Sequence, residues 1–259
     1  MNGTDINSLL ELANAGNADA RYNLGICYCE GKDGFLKDCK EASAWFAKAA
    51  EQGHAAAQYY LSVCYHGGQG TQKKSKKQAV EWLTKSANQG YAEAQFKLGE
   101  CYYYERWGVE HSKDKAAEWY IAAGEQGHAE AWRELGWCYL QGQGVPKSSQ
   151  KSEEYYKKVA EYYKKIAMCG DAAAQYGLGR CYFFGHGVLV SYAMAVKLYL
   201  KAAIQGYAFA QSEIAWCYYL GKGVEKDDAE AKQWYQKAVS QGIKSPNGEL
   251  DSLLKRGNK

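Results

Sequence analysis

Seven glycines, Gly16, Gly53, Gly90, Gly127, Gly170, Gly206 and Gly242, recur at intervals of 37, 37, 37, 43, 36 and 36 residues. The first six each open a variant of one frame, seen most fully as Gly90-Tyr-Ala-Glu-Ala-Gln-Phe-Lys-Leu-Gly-Glu-Cys-Tyr102. The other copies run from Ala18 to Tyr28, Ala55 to Tyr65, Ala129 to Tyr139, Ala172 to Tyr182 and Ala208 to Tyr218. Periods of this length belong to stacked helical hairpins, because one hairpin cannot bury its apolar face alone and needs neighbours. The expected fold is all-α: one solenoid domain over 1–259, with a capping helix at 1–16, repeats at 17–53, 54–90, 91–127, 128–170, 171–206 and 207–242, and a terminal cap at 243–259.

Each repeat reads as a helix A carrying the frame, a glycine-rich loop and a helix B such as Gln78-Ala-Val-Glu-Trp-Leu or Lys115-Ala-Ala-Glu-Trp-Tyr. Helix B closes on Ala-Ala-Glu-Gln-Gly53 or a relative, with glycine where a left-handed residue ends a helix. Thr4 to Ala15 reads as an opening helix, and Ser245 to Arg256 as a terminating helix with a polar outer face. The 23 tyrosines and 8 tryptophans are expected to supply the core, since aromatic side chains bury large areas.

A net charge of +3 over 259 residues is too small to point to nucleic acid, and the basic run Lys73-Lys74-Ser75-Lys76-Lys77 falls in an expected loop. No apolar run reaches the roughly 18 residues that span a bilayer, and the amino terminus lacks the pattern of a secretory signal. The expectation is a cytoplasmic monomer without membrane insertion, with a secreted effector as the alternative. Six of nine cysteines, Cys27, Cys64, Cys101, Cys138, Cys181 and Cys217, are one frame position repeated. Equivalent positions on stacked helices lie roughly 8 to 10 Å apart, beyond the roughly 7 Å reach of a disulfide. They read as small buried side chains. Cys29, Cys39 and Cys169 stand outside the frame; without a fourth ligand, Cys27, Cys29 and Cys39 do not make a metal site, and neither metal nor cofactor is expected.

The frame, the loops Gly142-Gln-Gly-Val145, Gly185-His-Gly-Val188 and Gly221-Lys-Gly-Val224, and the helix B ending Ala49-Ala-Glu-Gln-Gly53 resemble the Sel1-like repeat proteins, relatives of the tetratricopeptide family. The resemblance covers about residues 16 to 242. It implies a right-handed α/α superhelix with A helices on its concave side, and a role as a bacterial adaptor or scaffold for other macromolecules. Two loops depart from the pattern, Gly31-Lys-Asp-Gly34-Phe and Glu105-Arg-Trp-Gly108-Val, and are expected to differ in shape.

Repeat 4 is long because Glu154-Tyr-Tyr-Lys-Lys-Val-Ala160 is followed by a near copy, Glu161 to Ala167. Seven residues turn a helix by about 700°, about 20° short of two turns, so helix B should gain two turns on the same face. The result is either padding or a protruding ledge of Tyr and Lys side chains.

Catalysis is the alternative to a scaffold. Ser112-Lys-Asp-Lys115 and Ser148-Ser-Gln-Lys151 match the Ser-x-x-Lys spacing of penicillin-binding and β-lactam-hydrolysing enzymes, and some Sel1-like proteins have been linked to such activity. Both serines stand where a helix B begins, where serine is a favoured cap, and the partner motifs of a weak serine hydrolase are missing. The paired glycines lack the preceding strand of a phosphate loop. His54 and His128 occupy the place of Tyr91 and Tyr207, an interchange that points to packing or capping.

With the frame's Ala, Leu, Cys and Tyr committed to packing, its second, sixth and ninth positions share the other side of helix A. The expected groove is lined by Ile26, Val63, Glu100, Trp137, Arg180 and Trp216 at the ninth position, with Tyr60, Lys97, Glu134, Phe209 and Glu213 from the second and sixth. Two readings of Trp137, Arg180 and Trp216 stand: an internal cation and ring ladder, or anchors for a protein or peptide segment, with Glu134 and Glu213 selecting basic side chains.

Overall fold

The structure, a computed structural model, describes residues 3–71, 73–243 and 249–255. Among these, every regular element is a helix. The first is α1 (Gly3–Asn14); then come A and B helices in alternation: α2 (Ala18–Glu30) and α3 (Cys39–Glu51), α4 (Ala55–Gly67) and α5 (Lys76–Asn88), α6 (Ala92–Tyr103) and α7 (Lys113–Glu125), α8 (Ala129–Gln141) and α9 (Ser149–Met168), α10 (Ala172–Phe184) and α11 (Tyr192–Ile204), α12 (Ala208–Leu220) and α13 (Asp228–Ser240). Last is α14 (Glu249–Lys255). They fall into two compact units that meet in sequence between Ser148 and Ser149, inside repeat 4. Within each unit a B helix packs on its own A helix and on the next one, the serial packing of a solenoid.

The hairpins form where the sequence places start and stop signals. Helix B begins at Asp38, Ser75, Ser112, Ser191 or Asp227, whose side-chain oxygens accept amide hydrogen bonds from the first turn and so satisfy donors that have no partner within the helix. All seven period glycines take positive φ, between 85° and 101°. The core is the frame's third and seventh positions, for example Ala94 and Leu98, against one large side chain per B helix: Phe46, Leu83, Tyr120, Tyr156, Tyr199 and Tyr235. Glycine at the frame's eighth position lets those rings approach: a Cβ on Gly99 would stand 2.6 Å from the Tyr120 ring, and one on Gly179 2.7 Å from Tyr199. The aromatic core is thus mainly tyrosine and phenylalanine, with Trp107 its one tryptophan. Trp45, Trp82 and Trp234 sit one position earlier on their B helices, half-buried, each under a lysine one turn on, where the indole N–H keeps access to water.

A second stitch runs along the fourth frame position. Gln58, Gln95 and Gln211 are buried, and each donates its amide to the carbonyl eight residues earlier, at Ala50, Ala87 and Ala203. Arg21 does the same to Ala13 and Trp132 to Gly124. The glutamine oxygens accept from the glutamine that ends the same repeat's helix B: Gln89 to Gln58, Gln126 to Gln95, Gln205 to Gln175 and Gln241 to Gln211. The last carbonyls of one B helix are thereby satisfied by the next A helix.

Both ends are covered. Ala13 of α1 is buried against Leu24, and Leu250 of α14 against Ala215, Tyr235 and Ala238. The expected terminating helix is present from Glu249; residues 245–248 lie outside the described ones.

Helix α9 has 20 residues where the other B helices have 13, the two extra turns expected from the duplication. In other repeats the loop's second glycine rests on the first residue of the preceding B helix: Gly70 on Cys39, Gly144 on Lys113, Gly223 on Tyr192. Gly187 instead rests on Tyr156, the eighth residue of α9. Seen from repeat 5, the added turns lie at the amino-terminal end of α9. Tyr163, from the second copy, is half-buried and packs on Gly177, while the buried hydrophobic side chains of α9, Tyr156, Val159 and Ala160, belong to the first copy.

The two atypical loops do differ. In the regular loops both left-handed positions are glycine, as in Gly142 and Gly144 with φ of 70° and 71°. The residue between them donates its amide to the frame cysteine's carbonyl: Gln143 to Cys138, His186 to Cys181, Lys222 to Cys217. Arg106 makes that bond to Cys101, which identifies Glu105 and Trp107, at φ of 52° and 60°, as the counterparts of the two glycines. In the first loop Asp33 holds φ of 53°.

Candidate binding surface

The residues expected to line the groove take three kinds of place. In the first unit, Tyr60 is half-buried, stacked on Phe46 at 5.1 Å, and Ile26 packs against the same cluster; both are more core than surface. Val63 and Trp137 are open, 37% and 44% exposed. Lys97 and Glu100 pair at 2.7 Å, and Arg106 reaches Glu100 at 3.5 Å. Glu134 is held by its neighbour Arg133 at 2.8 Å.

Trp137 is oriented as well as exposed. Its Nε1 donates to the Tyr103 hydroxyl at 3.2 Å, and that hydroxyl in turn donates to Gln143 Oε1. A tether of this kind fixes the indole before anything binds, which lowers the entropy lost on association.

In the second unit, Arg180 lies over Tyr176 and Phe184 of its own helix, at 6.0 and 5.6 Å. Burial pushes the Glu213 carboxyl above its ordinary range, partly offset by the Arg180 charge. Trp216 is half-buried with the cluster of Ala215, Tyr235 and Leu250, edge-on to Tyr219. Phe209 is 51% exposed, its ring 6.2 Å from Tyr176.

The histidines do both things their interchange with tyrosine suggests. His54 and His128 cap α4 and α8 by accepting the Ala57 and Ala131 amides at Nδ1, and they stack on Tyr22 and Phe96 at 4.7 and 4.6 Å. Tyr91 and Tyr207 make no side-chain cap bond but keep a ring contact, tilted by 52° and 49°, with Tyr59 and Tyr176.

Sequence reasoning passed over His66 and Tyr59 and noted Arg106 and Trp107 only as part of a divergent loop. Trp107 stacks on His66 of α4 at 4.3 Å and 17°. A cavity of about 630 Å³ beside this pair is lined by Tyr59, Val63, His66, Lys76, Lys97 and Arg106, among others. The detectable signal was a tryptophan where every other glycine-pair loop has its second glycine.

Ser112 is the cap of α7, its Oγ accepting the Lys115 amide at 3.3 Å. All nine cysteines are free; of the frame six, only Cys64 is incompletely buried. Among the described residues no group of His, Cys, Asp and Glu is arranged to hold a metal, and no helix is long and apolar enough to cross a membrane.

A family model described as Sel1 repeat matches residues 18–54, 55–91, 92–128, 129–161, 172–207 and 208–243. The chain is similar to a solved structure of c5321, a protective antigen of uropathogenic Escherichia coli with an SLR fold, at 31% identity, TM-score 0.60, over 97% of this chain and 52% of that one. It thus spans about half the length of that relative. A Sel1 repeat protein from Oxalobacter formigenes matches at 29% identity and TM-score 0.68, over 92% of this chain and 98% of the other. The immunity protein Pa5087 from Pseudomonas aeruginosa shares the fold at 20% identity and TM-score 0.54, over 93% and 88%. No curated protein matches.

Proposed function

The chain belongs to the Sel1 repeat family, and on that premise we propose that it is a non-catalytic protein-interaction scaffold, a monomer that holds a protein or peptide segment along the face of its A helices. The observation that carries this reading is the tethered, exposed indole of Trp137. A large aromatic side chain held in place by a hydrogen bond yet left open to solvent is suited to anchor a partner. Val63 in the same unit and Phe209 in the other are open apolar side chains at the same class of frame position.

The geometry refines the expected contacts. Glu134 already has Arg133, so recognition of a basic side chain there would displace an existing pair. Trp216 supports the fold near α14 as much as it offers a surface. The test is capture of partners on immobilised protein, comparing wild type with Trp137→Ala/Phe209→Ala and checking each by circular dichroism. Retained helicity with loss of a specifically captured protein is the expected result; identical capture by the folded variant would refute the reading.

The alternative, a weak serine hydrolase on Ser112 or Ser148, has less support, because Ser112 Oγ accepts the Lys115 amide as the cap of α7.

A further inference from the structure

The loop of repeat 3 breaks a packing rule that the four glycine-pair loops obey. Where Gly70, Gly144, Gly187 and Gly223 stand, a Cβ would lie 1.8 to 2.4 Å from a backbone carbonyl of the preceding B helix. No side chain fits there. Trp107 holds the same left-handed place, so its loop cannot seat on α5 as the others seat on their neighbours. The indole packs against His66 within the cluster of Ala79, Leu83 and Val109, beside the cavity of about 630 Å³; a second cavity of about 500 Å³, lined by Lys76, Val80 and Tyr102, has a counterpart of about 450 Å³ at Gly70. A bulky residue at positive φ is uncommon and strained, and strain of this kind clusters at ligand sites.

The larger cavity carries an excess of positive charge. Lys76, Lys97 and Arg106 line it against a single lining carboxylate, Glu105; Glu100 neutralises part of Lys97 and Arg106 from beside it. Lys74 adds to the field, and His66 registers it: burial, then Lys74, Lys76 and Lys97, hold its imidazole below the usual histidine range. Its Nδ1 is buried with no hydrogen-bond partner. A ring whose second nitrogen cannot be satisfied stays neutral, so the fixed cations set the charge. Tyr59 and Val63 supply an apolar wall.

We propose that this cleft is a carboxylate-binding pocket that receives an acidic segment of a protein partner. The occupant follows from charge complementarity and size: the cavity takes a side chain with its backbone, and its cations match a carboxylate at the end of an apolar stem. The inference rests on the scaffold reading for the occupant being a protein, and it shares Val63 and Lys97 with that surface.

The test is calorimetric titration at low salt with an octaglutamate peptide, an octalysine peptide and inorganic phosphate. Octaglutamate is expected to bind wild type and to weaken at least tenfold in Lys76→Glu/Lys97→Glu. It should also weaken in Trp107→Gly, which restores the loop of the other repeats without changing charge and is checked for folding by circular dichroism. Lys40→Glu/Lys201→Glu, with the same net charge as the first variant, should bind like wild type. No octaglutamate binding, equal loss in the charge control, undiminished binding by folded Trp107→Gly, or competition by equimolar phosphate would overturn the proposal. Octaglutamate binding that persists in Trp137→Ala/Phe209→Ala keeps the pocket even where the groove fails its own test.

Discussion

Trp132 Nε1 donates a 2.7 Å hydrogen bond to the Gly124 carbonyl, taking over the bond that glutamine makes to alanine in repeats 2, 3 and 6. The exchange is paired: the indole goes with glycine, the glutamine amide with alanine. A Cβ on Gly124 would lie 3.1 Å from Trp132 Cδ1 and 3.2 Å from Leu135. Gly124→Ala alone should therefore gain little or destabilise, although glycine inside a helix ordinarily costs about 1 kcal/mol relative to alanine. Gly124→Ala with Trp132→Gln rebuilds the pair of the other repeats. Urea denaturation of the four proteins should give a favourable coupling above about 0.5 kcal/mol; strict additivity would show that the two positions are independent.

Acid should loosen the fold through His128. Burial holds its pKa below the ordinary histidine value of 6.5, so the unfolded chain binds the proton more readily than the folded one. Stability is then full above about pH 6.5 and falls as pH drops toward the folded-state pKa; His66 acts with the same sign. The fall in melting temperature between pH 7.5 and 5.5 should be smaller in His128→Asn, which keeps a capping side chain. An identical slope in both proteins would remove His128 from the account.

The thiols should separate by burial. Burial pushes Cys64 up to about 11 and Cys101, Cys138 and Cys217 up to about 12, leaving almost no thiolate at neutral pH, and the thiolate is the reactive form. Cys169 is the exposed cysteine. A disulfide exchange reagent at pH 7.5 should find one fast equivalent in native protein, lost in Cys169→Ser, and nine after denaturation. Several fast equivalents would mean that the hairpins open more readily than their packing implies.

Deleting Glu161 to Ala167 should leave a folded protein. The first copy would move into the second's place, with Tyr156 against Gly177, and the repeat 5 loop would seat on Ser149 as its counterparts do on Cys39 and Lys113. The loss is the parallel stack of Tyr156 on His186 at 4.0 Å, worth about 0.5 to 1.5 kcal/mol. A cooperative but slightly earlier thermal transition is expected; a non-cooperative one would show that the long helix is required for folding.

The period, the hairpins, the capping glycines and the long α9 were legible because each is a local signal repeated or duplicated in the chain. The glutamine stitch was harder to see, since its fourth position holds Arg21, Gln58 and Trp132 alike; what is shared is a donor, not a residue type. The surface was only partly legible. Frame position gives the side of a helix but not what reaches over from elsewhere, so Tyr60 and Trp216 turned inward onto Phe46 and the α14 cluster while Trp137 stayed open. The cleft at Trp107 is walled by two repeats, His66 and Lys76 from one and Lys97 and Arg106 from the next, which no pattern within one repeat can express.

The seat of Gly187 on the eighth residue of α9 also bears on how such chains change by inheritance. A slip in copying that repeats seven codons adds a segment whose side chains fall back on the old faces, so the loop glycine that follows finds Tyr156 where its counterparts find the first residue of a helix B. Slips of three or five codons would swing every later contact of the helix out of line. Lengthening by sevens is therefore a step this architecture can take in one generation and survive.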